Sequence, residues 1–294
     1  MKLLILVIKG MMIGIANVIP GVSGGTMAVS LGIYDKMIDS VSGVFSHLKE
    51  SIAFLFPLLL SCGIGIAGFS YAIEYLLSKH TFVTCMTFVG LILGGLPVIY
   101  AGLKLKKAES GSGIGVSAIL AFLIAFAFSA GLPLLKGGEN VLETIPATGA
   151  NMAILFVLGI VASATMVIPG VSGSMVLMIL GYYYGIINMV KNFLEALRTM
   201  NIAAIREEIL LIIPFGIGVV IGIILIAKLI SFLFDRFGVQ TYCAILGLVI
   251  SSPFAIFYNT GLFGTLSSLS MWAVLFGILL MIAGAVITNF VGEK

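Results

Sequence analysis

The chain has 294 residues, of which 61% are hydrophobic and only 9% charged, with a formal net charge of +3. An ordinary soluble domain carries about a quarter charged residues, so this composition cannot solvate a surface of its own and points to a chain covered by lipid. The charge is dispersed, with no basic run longer than Lys104, Lys106 and Lys107, which argues against a nucleic-acid partner.

Polar punctuation divides the chain into ten apolar segments, near 3–18, 22–39, 51–77, 82–102, 113–133, 150–167, 171–190, 208–234, 241–259 and 269–291. A helix crossing the ~30 Å hydrocarbon core needs about 20 apolar residues. Segments 51–77, 82–102, 113–133, 208–234, 241–259 and 269–291 meet that length comfortably or nearly so. In lipid every backbone polar group must be paired within the protein, so long runs without alternation are predicted as helices. The N-terminal segment resembles a signal peptide only superficially, because no small-residue cleavage site follows; it is expected to stay in the fold. The stretch 191–208, with Arg198, Arg206, Glu207 and Glu208, reads as an amphipathic surface helix.

The four shorter segments form two pairs, each joined by a Pro-Gly break. The first break reads Val18-Ile19-Pro20-Gly21-Val22-Ser23-Gly24-Gly25-Thr26, and the second Val167-Ile168-Pro169-Gly170-Val171-Ser172-Gly173-Ser174. Seven consecutive residues are identical at an offset of 149 (Pro20 to Pro169), and Gly10 pairs with Gly159 at the same offset. Further on, Pro57 pairs with Pro214, Gly65 with Gly222, Thr84 with Thr241 and Gly90 with Gly247, now at an offset of 157. The chain is therefore read as a duplication, with repeats at 1–149 and 150–294. Each repeat holds a broken, re-entrant helix pair followed by three transmembrane helices. A broken pair returns to its starting side and three helices do not, so the second repeat is inserted upside down. The expected fold is all-α, a polytopic membrane protein of two inverted-topology repeats, with its site at their interface near the midplane. The distribution of Lys and Arg between loops places both termini in the cytoplasm.

The breaks carry the chemistry. Pro20 and Pro169 disfavour helix in the residue before them and donate no N–H. Ser23 and Ser172 then suit the N-cap of a new helix, whose first turn leaves N–H groups unpaired. Gly24, Gly25 and Gly173 allow a ligand close to the backbone, Gly21 and Gly170 permit the turn, and Thr26 and Ser174 add hydroxyls. Such helix starts suit an anion, phosphate most commonly. Tight turns between ordinary helices are the competing reading. Gly14, Gly32 and Gly181 are read as helix-packing positions. Charged residues near the membrane are few. Glu74, Lys228 and Asp35 are candidates for a coupling or charge-pairing role, against snorkelling to the interface. Asn17 stands where the second repeat has Met166, so the two half-sites are not identical. No metal site or cofactor is expected, since His47 and His80 lie outside the motifs and Cys62, Cys85 and Cys243 lack ligand spacing.

The paired motifs at 17–26 and 167–174 resemble those of the polyprenyl-phosphate transporter family, bacterial and archaeal membrane proteins long known only as a domain of unknown function. The resemblance covers essentially the whole chain. It implies a transporter and not an enzyme, located in the plasma membrane. It implies return of undecaprenyl phosphate, the lipid carrier of cell-wall precursors, between leaflets, with the phosphate at the paired breaks and the prenyl tail left in membrane lipid. Moving an anion inward opposes an inside-negative potential by about 2.3 kcal/mol per charge per 100 mV, so a coupling proton or sodium ion is a further expectation. A secondary transporter of a small soluble anion fits the repeat and the breaks equally well.

Overall fold

The computed structural model of the protein describes residues 2–19, 22–111, 113–135 and 142–292. Pro20, Gly21, Lys136 and Lys294 lie outside the described residues. Within them the chain forms the helices α1 (Lys2–Asn17), α2 (Gly24–Ser30), α3 (Tyr34–Ser42), α4 (Leu48–Lys79), α5 (Thr81–Leu93), α6 (Leu96–Ser110), α7 (Val116–Gly131), α8 (Gly149–Val167), α9 (Gly173–Ile179), α10 (Tyr183–Arg198), α11 (Ile202–Asn259) and α12 (Met271–Gly292), and no strand. Among the described residues six stretches are long and apolar enough to cross a membrane: Leu48–Lys79, Thr81–Ser110, Val116–Leu134, Gly149–Val167, Ile202–Asn259 and Met271–Gly292. Large apolar side chains such as Phe56, Leu59, Ile124, Leu279 and Val286 stand exposed on them. In water a surface of this kind would aggregate; in a bilayer it faces its proper solvent.

Several boundaries differ from the sequence expectation. Segment 22–39 is two helices, because Gly32 adopts a left-handed φ of +67° after α2. Gly181 does the same after α9 with φ +80°, and α9 and α10 meet at a bend of 110°. These two glycines are turn residues: only glycine adopts that backbone without a Cβ penalty. Segment 82–102 divides into α5 and α6 at Gly94-Gly95, where a Cβ on Gly95 would crowd Ser30. Segments 208–234 and 241–259 remain two helical stretches, as read from the sequence: α11 is kinked between them, where Phe237 leaves helical geometry (φ −134°, ψ 43°). No separate surface helix covers 191–208; α10 continues to Arg198 and α11 begins at Ile202.

The chain forms two compact units. The first comprises Met1–Pro133, Ile168–Val171 and Ala227–Lys294, and the second Leu134–Val167 and Ser172–Ile226. Lipid offers little hydrophobic drive between helices, so close approach through small residues supplies dispersion contact instead. In the first unit Gly10 and Gly14 set α1 directly on α4, where Ser61 and Gly65 answer them. There too α5 lies against α12, with Gly90 on the Met281 backbone and Gly94 on Ala285, and α7 meets the second part of α11 at Gly247. In the second unit Gly159 and Ser163 of α8 meet Gly218 and Gly222 of α11. Its core is an apolar cluster of Leu155, Leu158, Ala162, Leu177, Ile186, Met189 and Leu211.

Candidate functional site

The first break leaves α1 through tight turns, with the Val18 and Ile19 amides donating to the Ile15 and Ala16 carbonyls. Ser23 is extended (φ −99°, ψ 136°) and caps α2, its Oγ accepting from the Gly25 N–H at 3.2 Å. The Gly24 N–H donates to Asn17 Oδ1 at 3.0 Å. The last residue of α1 thus holds the first residue of α2, and a Cβ on Gly24 would lie 2.6 Å from Asn17 Nδ2. The sequence showed Asn17 only as a difference from Met166; an amide side chain closing one helix just before a Pro-Gly break and a serine N-cap is the signal for its capping role. Ser23, Gly25 and Thr26 are buried and Gly24 is half-buried.

The second break is built alike and then diverges. Ser172 is extended (φ −100°, ψ 117°) and caps α9, but its Oγ accepts from the Met175 N–H at 3.5 Å and lies 3.0 Å from Ser174 Oγ. Pro169 is fully buried and Gly170 takes a φ of +74°.

Two of the residues singled out by sequence meet inside the first unit. The Gly170 N–H donates to Thr26 Oγ1 at 2.6 Å, and the Gly170 carbonyl accepts from Ser129 Oγ at 2.9 Å. Thr26 and Ser129 are both buried. The first motif therefore touches the second across 144 residues of chain. Ser129, on α7, escaped the sequence reading, because one serine in an apolar helix is ordinary. Ser172, Gly173 and Ser174 belong to the second unit. Hydroxyls and amides are the polar groups at both breaks, and such neutral groups can solvate an anion without the cost of burying a formal charge.

The charged candidates lie elsewhere. Asp35, on α3, accepts from the Tyr242 hydroxyl at 2.6 Å. Nearby on α3, outside the long apolar helices, burial and then the charges of Asp35 and Asp235 push the Asp39 carboxyl above the ordinary carboxylate range. Glu74 and Lys228 are exposed and make no ion pair among the described residues.

Long apolar helices interrupted by two short, capped half-helices with neutral donors are the architecture of a polytopic membrane transporter. Over residues 13–270 the sequence matches the family described as VCA0040-like, undecaprenyl phosphate translocase-like. It is 30% identical over 289 residues to the polyprenyl-phosphate transporter of Staphylococcus aureus (strain NCTC 8325 / PS 47), covering 98% of this chain and 95% of that one. It is also 30% identical over 263 residues to the polyprenyl-phosphate transporter of Vibrio cholerae serotype O1 (strain ATCC 39315 / El Tor Inaba N16961), covering 83% of this chain and 74% of that one. The chain belongs to the undecaprenyl phosphate translocase-like family, a family of transporters and not of enzymes. No solved structure matches it.

Proposed function

We propose that the protein moves a polyprenyl phosphate, undecaprenyl phosphate in the cell, between the leaflets of the plasma membrane and so returns the spent carrier for reuse. The phosphate is held at the first break by Gly21, Ser23, Gly24, Gly25 and Thr26 together with Gly170. Ser172, Gly173 and Ser174 take the same role at the second break, and Pro20 and Pro169 keep both helices broken. The observation that carries this reading is the bond between Thr26 Oγ1 and the Gly170 amide, since it joins the two corresponding motifs. The family supplies the substrate class. The prenyl tail stays in lipid, so the donors need be neutral only where the head group crosses.

Matching contacts support the inverted-repeat reading with repeats at 1–149 and 150–294. Gly10 sits at Ser61 in one unit, and Gly159 sits near Gly218 in the other. Inward movement of a phosphate requires a compensating ion, and a proton on Asp35 is the assignment we favour over Glu74 and Lys228, because Asp35 alone of the three has a side-chain hydrogen-bond partner among the described residues, the Tyr242 hydroxyl. Both termini are assigned to the cytoplasm.

The test is flipping of a labelled short-chain polyprenyl phosphate in proteoliposomes. The natural protein should flip it, and a Thr26→Val variant of nearly equal volume should lose most of that rate. Accumulation of inorganic phosphate or sulfate in the same vesicles, without lipid flipping, would replace the lipid reading by soluble-anion transport.

A further inference from the structure

Lys9 is an anomaly in α1. It sits one residue before Gly10, where the helix packs directly on α4, and only 5% of it is exposed. It makes no ion pair or hydrogen bond among the described residues. Its stem is the buried part: Nζ is not among the fully covered unpaired polar atoms, so the ammonium reaches out of the helix packing with no protein partner to hold it there. The repeat sharpens the point. At the offset that pairs Gly10 with Gly159, Lys9 corresponds to Leu158, a member of the second unit's apolar core. The same slot beside the same glycine contact accepts an ordinary leucine.

Lys9 lines a groove of about 860 Å³ between α1, α3 and α4. Leu3, Leu6, Ile33 and Phe54 give it an apolar wall. Its other charged residues, Lys36, Asp39 and Glu50, are exposed at its rim. Lys36 is already engaged over the Phe54 ring, 4.8 Å from its centroid, and neither rim acid pairs with Lys9, whose ammonium faces the groove without an ionic partner among the described residues. A ligand that complements this groove has one compact anionic group and an apolar body.

We infer that the groove is the loading site of the lipid substrate, where the ammonium of Lys9 receives the phosphate monoester and the apolar wall receives the adjoining part of the prenyl chain. This deepens the function proposed above and rests on it. Position on α1 gives the sequel. Lys9 and Asn17 are eight residues apart on one helix, a rise of about 12 Å, and Asn17 holds the first amide of α2. One rigid rod links the groove to the break, and the head group passes from a charged site near the end of the helix to a neutral one deeper in.

The test uses the full chain in nanodiscs of phosphatidylcholine, with a short-chain polyprenyl monophosphate as the probe. Loss of one charge-assisted contact should weaken binding by about tenfold in Lys9→Met, while Lys9→Arg restores it. Excess phosphatidylglycerol or inorganic phosphate should not displace the probe. Unchanged affinity in Lys9→Met overturns the assignment, and displacement by either competitor overturns the choice of a lipid monophosphate. If Lys9→Met does not fold, acylation of Lys9 by a small amine reagent in the natural protein serves instead. The probe should slow it several-fold, and an unchanged rate at saturation overturns the proposal. Flipping assays separate the two readings. Lys9-dependent binding without any flipping removes the transport proposal alone, and flipping that survives Lys9→Met undiminished removes the loading site alone.

Discussion

Gly170 shows how much one backbone position can carry. Its amide is held by Thr26, its carbonyl by Ser129, and its φ of +74° suits glycine. A Cβ there would stand 2.7 Å from the Leu248 carbonyl oxygen, which already accepts from the Ser251 and Ser252 hydroxyls. Gly170→Ala therefore meets both backbone strain and a wall that is pinned in place, and should lose about 1–3 kcal/mol of stability. A thermal-unfolding shift in detergent would measure it, and a melting point equal to that of the natural protein would contradict the account. The sequence identified Gly170 through the repeated motif but could not find Ser129. The motif is a local pattern, whereas Ser129 reaches Gly170 only because α7 folds back to it, a fact of tertiary contact that leaves no mark on neighbouring residues.

Helices were far easier to read than their ends. Apolar length located α1, α4, α7, α8 and α12 to within a few residues, because in lipid the length of an apolar run is itself the physical requirement. The turns at Gly32 and Gly181 were hidden inside apolar runs, where a glycine serves packing and turning equally well. The bend at Phe237 was legible without a proline, because it falls in the polar gap between segments 208–234 and 241–259. Small residues also divide into two kinds that sequence does not separate. A Cβ on Gly14 or Gly65 would strike the facing backbone, whereas Gly63 and Gly68, on the same α4, have nothing within 4 Å. Gly65→Val should thus push α1 from α4 and cost about 1–3 kcal/mol, while Gly63→Val and Gly68→Val should be nearly neutral. Fluorescence-detected size exclusion after graded heating would rank the three, and equal loss at all of them would discard the contact as the cause.

For the molecule as a whole, the N-terminal and C-terminal halves of the chain exchange helices within the first unit. The α5 helix, in the N-terminal half, lies on α12, in the C-terminal half, and α7 lies on the second part of α11. Each half alone would expose the bare faces of Gly90 and Gly94 or of Gly247. Residues 1–149 and 150–294 expressed separately should each be degraded, and their co-expression should restore a stable complex, detectable by copurification through a tag on either piece. Stable accumulation of residues 1–149 alone would refute the mutual dependence. The exchange also sets a clock on biosynthesis. Gly90 meets Met281, so 191 residues (Gly90 to Met281) must still be made after α5 leaves the ribosome. At about 5–20 residues per second that is a wait of roughly 10–40 s, during which the newborn helix sits in the bilayer with its closest-fitting face turned to lipid or to the insertion machinery.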